Sequence, residues 1–175
     1  MQYRRLTEQE VDRVWEIERR EIVQHVYVMV NDRLQLREQF YDTRGWPEGE
    51  EKEYSPILRA CFARGGLFLG AFEGDELAAV SVMDSRPVTD YPKLHQLAFL
   101  HVSHGWRGQG LASELYARTR AEAQAMGIAG FYISATSTQR TVEFYLSRGA
   151  ELSLPPDREL YEKEPDDIHL AHWFY

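Results

Sequence analysis

The sequence predicts an α/β fold: a mixed, mostly antiparallel central sheet with helices on its flanks. Three observations carry this reading. Near residue 66 the apolar pattern changes from helical spacing to period two and short apolar runs. Two such runs, Leu67 to Phe72 and Leu77 to Met83, are joined by Glu73-Gly74-Asp75-Glu76, the signature of a hairpin. Beyond them, an apolar run from Leu94 to Val102 leads through a glycine-bearing turn into a helical segment.

The elements follow in order. Thr7-Glu8-Gln9-Glu10 reads as a capping box, with Thr7 as N-cap and Glu10 reaching back. Val11, Val14, Trp15, Glu18, Ile22 and Val26 keep mostly helical spacing, which predicts helix to about Val30. Leu34 to Tyr41 is expected to form a further short helix. Gly45-Trp46-Pro47-Glu48-Gly49 is a loop by its breakers. Glu51 to Ala63 is amphipathic and stops at Gly65-Gly66. The hairpin follows, then a loop from Arg86 to Pro92 and the Leu94 strand. Leu111 to Met126 is helical, Phe131 to Ala135 a strand, and Thr138 to Arg148 a helix closed by Gly149. After Pro155-Pro156-Asp157 and a charged segment, Ile168 to Tyr175 closes the sheet. There is no internal repeat or linker, so residues 1–175 read as one domain.

Composition narrows the function. No apolar run approaches the ~18 to 20 residues of a membrane-spanning helix. Met1 to Leu6 lacks the apolar stretch of a signal peptide. Cys61 is the lone cysteine, so there is no internal disulfide, and its apolar neighbours Tyr54, Ile57, Leu58 and Phe62 read as a core face. A reducing cytoplasm is the expected location. The net charge of −8 argues against a general nucleic-acid binder and suits a cationic partner. No group of His, Cys, Asp or Glu has metal-binding spacing.

The informative stretch is Arg107-Gly108-Gln109-Gly110-Leu111-Ala112. A strand, a glycine turn and a helix start in that order make an anion site, because the first helical N–H groups lack partners and the helix dipole is positive there. The turn lacks the Gly-Lys-Ser/Thr of a P-loop and the third glycine of a dinucleotide fingerprint. Taken alone, it also fits an ordinary tight strand-to-helix turn. Its form, Arg-x-x-Gly-x-Ala, resembles the pyrophosphate loop of the GNAT superfamily of N-acetyltransferases. Downstream, Phe144-Tyr145 followed by Gly149 resembles the Tyr-x-x-x-Gly-Phe that ends the family's next helix. The resemblance spans Leu94 to Leu152 with specific motifs, and the rest of the chain by the order of its elements.

The resemblance implies acetyl transfer from acetyl-coenzyme A directly to a primary amine of a small molecule or a protein. It implies a diphosphate on Arg107, Gly108, Gln109, Gly110, Leu111 and Ala112, and main-chain contacts from Leu100, His101 and Val102 to the pantetheine arm. Within that set, the Leu100 N–H is expected to hold the acetyl oxygen. Tyr145 matches the family's proton donor to the departing thiolate, a phenol of pKa ~10 that is neutral at pH 7. Thr138 stands where the family often has Asn, and Ala150 where it has Phe. No general base stands out: the strand offers His95, Gln96 and His101. Glu18, Glu21 and His25 are expected on the first helical region, with Glu18 and His25 two turns apart on one face, to hold a cationic amine. The same residues fit a solvated helix face. Gln96 is the strand's candidate for acceptor contact. A homodimer through the sheet edge near the C-terminal strand would follow the family's habit. A non-catalytic acyl-coenzyme A sensor that keeps the loop is the rival reading.

Overall fold

In a computed structural model that describes Met1–Tyr175, the chain forms one large sheet and a separate hairpin. The centre of the sheet is built as the period-two pattern dictates. Strands β4 (Leu67–Glu73) and β5 (Glu76–Pro87) pair antiparallel, and β5 pairs antiparallel with β6 (Leu94–Val102). Apolar on both faces, β4 from Leu67 to Phe72 and β5 from Leu77 to Met83 are buried. The edge beyond β4 is covered by β1 (Gln2–Arg5), a strand the sequence pattern does not announce. On the other side β6 pairs parallel with β7 (Gly130–Ala135), which pairs antiparallel with β9 (Ile168–Trp173), itself flanked by β8 (Glu151–Leu152). The order is β1-β4-β5-β6-β7-β9-β8, with β6/β7 the single parallel pair. This is the mixed, mostly antiparallel sheet with flanking helices that the sequence predicts.

Two apolar layers sandwich it. Helix α1 (Glu50–Ala63) and a 3₁₀ segment, Glu8–Glu16, cover one face through Val11, Val14, Leu58 and Cys61, against Phe68, Phe72, Val80 and Val82. Cys61 is core as expected, and burial pushes its thiol up to about 11. Helices α2 (Leu111–Ala125) and α3 (Gln139–Leu146) cover the other face through Leu111, Leu115, Tyr116, Val142 and Tyr145. A short helix, α4 (Arg158–Lys163), lies in the segment between β8 and β9, capped by the Asp157 carboxylate on Leu160 N–H.

The first third departs from expectation. The predicted helix ends after Glu16, and Glu21–Val30 is strand β2. The predicted helix from Leu34 to Tyr41 is strand β3, Arg33–Thr43, paired antiparallel with β2. The reason lies at Asn31 and Asp32, which take φ of 52° and 60°. Two consecutive left-handed residues make the tight turn whose twist suits a two-residue hairpin, and Asn and Asp tolerate it best. Between them, the β-branched and aromatic side chains of Ile22, Val23, Val26, Tyr27, Val28 and Val30 favour a strand. A bulge between Val23 and His25 shifts the alternation, so that Val23 and Val26, three apart, are both buried.

Candidate active site

The site begins where β6 and β7 part. They pair only at Leu94, His95 and Gln96, opposite Gly130, Phe131 and Tyr132. Beyond Gln96 the strands diverge, and Leu97 and Phe99 to Val102 of β6 have partners on the β5 side alone. The direction of the unpaired groups follows from two hydrogen bonds. Ser103 N–H donates to Ala78 O of β5 at 2.9 Å. Arg107 Nε donates to Val102 O from the other side at 3.1 Å. Successive residues of a strand turn their backbone polar groups to alternate edges. His101 therefore directs its N–H and C=O to β5, while Leu100 and Val102 direct theirs to the open edge. Of the three expected main-chain positions, Leu100 and Val102 face the gap. His101 does not, and Val102 O is already taken by Arg107.

At the foot of the gap lies the glycine loop. Gly108 and Gly110 take φ of 76° and 83°, and an added Cβ at either would meet open space. The left-handed backbone, not crowding by the protein, is what requires glycine there. Gly110 is the N-cap of α2, and no side chain caps that helix, so its first N–H groups are left for an outside acceptor. Leu111 anchors the helix start in the core, Ala112 is half-buried and Gln109 is exposed. A cleft of about 660 Å³ opens between the Arg107 turn, the start of α3 and β2. Thr138, Gln139 and Arg140 of α3 line it, together with His104, Glu21 and His25. Thr138 is the N-cap of α3, its hydroxyl accepting from Thr141 N–H at 3.4 Å.

Arg107 does not present its charge to the loop as expected. Nη1 donates to Arg20 O at 2.7 Å and Nη2 to Glu18 O at 3.4 Å, beside the Nε bond to Val102 O. The spacing argument for Glu18, Glu21 and His25 also fails, because they share no helix. Glu18 lies in the link before β2, where its backbone is bound to Ser103 and His104. Glu21 and His25 are on β2 and reach the cleft beside Arg107. Gln96 sits at the last paired position before the strands part.

Tyr145 lies on the α2/α3 side, 6% exposed, its ring 6.0 Å from Tyr116 and 5.2 Å from Phe144. Its hydroxyl takes no protein partner. Ser153 Oγ is the one fully enclosed side-chain polar atom without one, so the Tyr145 hydroxyl keeps an opening to its surroundings. Burial pushes the phenol above its ordinary pKa of 10, so it keeps its proton at neutral pH. Three histidines are occupied. His95 bonds Asp84 O, His169 bonds the Tyr132 hydroxyl, and His172 bonds the Tyr116 hydroxyl.

On the opposite face of β6 an aromatic wall forms that no sequence motif marks. Trp46, from the Gly-Trp-Pro loop, packs at 5.2 Å from His101, 6.0 Å from Phe99 and 4.8 Å from Trp15. Arg19 lies over the Trp46 ring at 4.6 Å and reaches Glu50 at 4.0 Å. Burial, reinforced by Arg19 and Arg107, lowers the His101 imidazole to about 3, so it is neutral at pH 7. Near Arg19, at the start of β9, burial and the neighbouring Glu164 and Asp166 raise the Asp167 carboxyl to about 7. Burial also raises Glu50, against the pull of Arg19.

A family description, acetyltransferase (GNAT) family, matches residues 32–150. The chain belongs to that family, whose co-substrate is acetyl-coenzyme A. Solved structures share the fold. A nourseothricin acetyltransferase is 16% identical, with a TM-score of 0.70, over 98% of this chain and 97% of its own. The PaiA N-acetyltransferase of Thermoplasma acidophilum, solved with coenzyme A, is 13% identical, with a TM-score of 0.65, over 99% and 98%. The ribosomal-protein-S18-alanine N-acetyltransferase of Escherichia coli is 14% identical, with a TM-score of 0.59, over 98% and 92%. Among curated proteins none matches the sequence. No helix of the structure is long and apolar enough to cross a membrane.

Proposed function

We propose that this protein is an N-acetyltransferase that moves an acetyl group from acetyl-coenzyme A to a primary amine. The observation that carries it is the open edge of β6, with the Leu100 N–H directed into the gap and an uncapped glycine-led helix start at its foot. Acetyl-coenzyme A supplies the acyl group as a thioester. The backbone from Gly108 to Ala112 holds its diphosphate, and Thr138 and Arg140 line the cleft beside it. The Leu100 N–H donates to the oxygen on which negative charge gathers during attack. The Tyr145 hydroxyl donates a hydrogen bond to the departing thiolate, while the proton lost by the attacking amine passes to solvent and the thiolate leaves as the thiol by taking one from solvent.

The amine approaches from the face of Trp46 and His101. Glu50, Glu164 and Asp167 there outweigh Arg19 in charge, which favours an acceptor that arrives as a cation. The relatives' names put nourseothricin and the alanine of a ribosomal protein among the acceptors used with this fold, so the fold itself does not choose between a small molecule and a protein chain. The test is a panel of amines, from diamines and lysine to alanyl peptides, followed by release of free coenzyme A. Turnover of at least one amine is expected. Tight coenzyme A binding with no turnover across the panel would replace the enzyme by an acyl-coenzyme A sensor, and absence of coenzyme A binding would remove both readings.

A further inference from the structure

Arg107 opens the glycine loop, yet its guanidinium is spent elsewhere. Three of its five N–H groups go to backbone carbonyls: Val102 on its own side, and Glu18 and Arg20 across the gap in sequence. Neighbouring bonds make the same connection. Glu18 N–H donates to Ser103 Oγ at 2.9 Å, His104 N–H donates to Glu18 O at 2.9 Å, and His104 Nδ1 lies 3.1 Å from Arg20 O. The residue held between these anchors is Arg19. Its side chain covers Trp46, and Trp46 in turn packs on His101 and Phe99 of β6. The contacts therefore close a ring, from β6 through the turn, Arg107, Arg19 and Trp46 back to β6.

We propose that Arg107 is a positioning residue: it fastens the Glu18–Arg20 segment to the turn after β6 and, through Arg19, fixes the Trp46 wall on the acceptor side. This rests on the transferase reading of the site. The fork geometry is what the role requires, since one planar group must bridge carbonyls from two separate segments. The ionisable groups acting on it, Glu21, Glu18, Arg140 and Arg19, come from the clamped segment, β2 and α3. Burial is the largest influence on the guanidinium and lowers its pKa without discharging it at neutral pH. A diphosphate bound by the backbone of the loop leaves these bonds in place.

Arg107→Ala, Arg107→Lys and Arg19→Ala, with the double Ala variant, separate this role from a phosphate contact. Calorimetry with coenzyme A reads the cofactor side. Steady-state kinetics with the amine of highest wild-type turnover reads the acceptor side. Arg107→Ala is expected to raise the amine KM at least ~10-fold and to change coenzyme A affinity less than ~3-fold. Arg107→Lys keeps the charge but not the fork, so it fails to restore the KM. Arg19→Ala raises the KM likewise, and the double variant is no worse than either single, because both act through one contact chain. Hydrogen exchange expects faster exchange at Glu18–Glu21 in Arg107→Ala, with α2 unchanged, and needs no acceptor. The proposal is overturned by a ~100-fold loss of coenzyme A affinity that Lys restores, by KM effects that multiply in the double variant, or by unchanged exchange at Glu18–Glu21. A wild-type protein that binds coenzyme A and acetylates no amine removes the enzyme reading, while exchange still decides the clamp.

Discussion

Replacing Tyr145 by Phe isolates one hydroxyl. The ring stays packed against Tyr116 and Phe144, and only the oxygen leaves. That oxygen bonds no protein group, so its loss forfeits none of the ~1 kcal/mol of a typical hydrogen bond. Stability should stay within ~0.5 kcal/mol of wild type, a melting shift under ~2 °C for a chain of this size. Tyr145→Ala makes the contrast. It empties a site that is 6% exposed and should cost ~3 to 5 kcal/mol. Catalysis behaves differently. If the hydroxyl donates its hydrogen bond to the departing thiolate, kcat falls ~10- to 1,000-fold in the Phe variant, equivalent to ~1.4 to 4 kcal/mol of barrier. Coenzyme A affinity changes little, because a thioester sulfur is a poor acceptor before the reaction. Burial holds the phenol above its ordinary pKa, so no alkaline decline in rate below pH ~10 belongs to Tyr145. The assay is steady-state turnover with calorimetry and thermal melting on the same preparations. Wild-type turnover in a well-folded Phe variant would make Tyr145 a packing residue only. A large loss of stability in that variant would reveal a structural hydrogen bond and refute the reasoning from the unpartnered oxygen.

Three further outcomes are expected. Gly110→Val forces a β-branched residue into φ of 83° at the head of α2, costing ~1 to 2 kcal/mol of stability, and should weaken coenzyme A binding at least ~10-fold by disturbing the N–H groups aimed at the diphosphate; unchanged affinity in a folded variant removes the loop from the cofactor site. Thr138→Ala loses the cap of α3 and should lower stability by ~1 kcal/mol, read by urea titration; an unchanged midpoint would show the cap to be idle. The third is pH dependence. Asp167 is raised from 3.8 to about 7, so its contribution is present below pH ~4 and lost as pH rises to 7. His101 is lowered from 6.5 to about 3, so its contribution is present above pH ~6.5 and lost as pH falls. The two oppose each other between pH ~4 and ~6.5. Over that window Asp167→Asn should gain stability with rising pH relative to wild type, and His101→Phe should lose it. Parallel profiles for all three proteins would show that neither group titrates as its surroundings demand.

The chain from Leu67 to Leu146 is legible because local and tertiary signals agree there. Period-two runs in β4 and β5, the breaker at Gly65-Gly66 and the glycines at 108 and 110 each name a conformation that packing then keeps. The same stretch holds the motif residues: the glycines mark an anion-binding turn by themselves, and the family resemblance nominates the cofactor loop and Tyr145. The first third is ambiguous in sequence because Val26 and its neighbours satisfy a helical stripe as well as a strand, and the Asn31-Asp32 turn outweighs the stripe. Tertiary structure alone decided three things. It set the direction of the Leu100 and Val102 backbone, which depends on where β7 diverges from β6. It turned Arg107 from the loop toward Glu18 and Arg20, carbonyls 89 and 87 positions earlier. It also gathered Trp46 and Arg19 beside His101, and brought Asp167 near Arg19, from segments with no common pattern. A sequence records conformational preference and periodicity over a few neighbouring residues. Which distant groups meet, and which charges lose their water, follows from how β2 packs on α3 and β9 and how the Trp46 loop packs on β6.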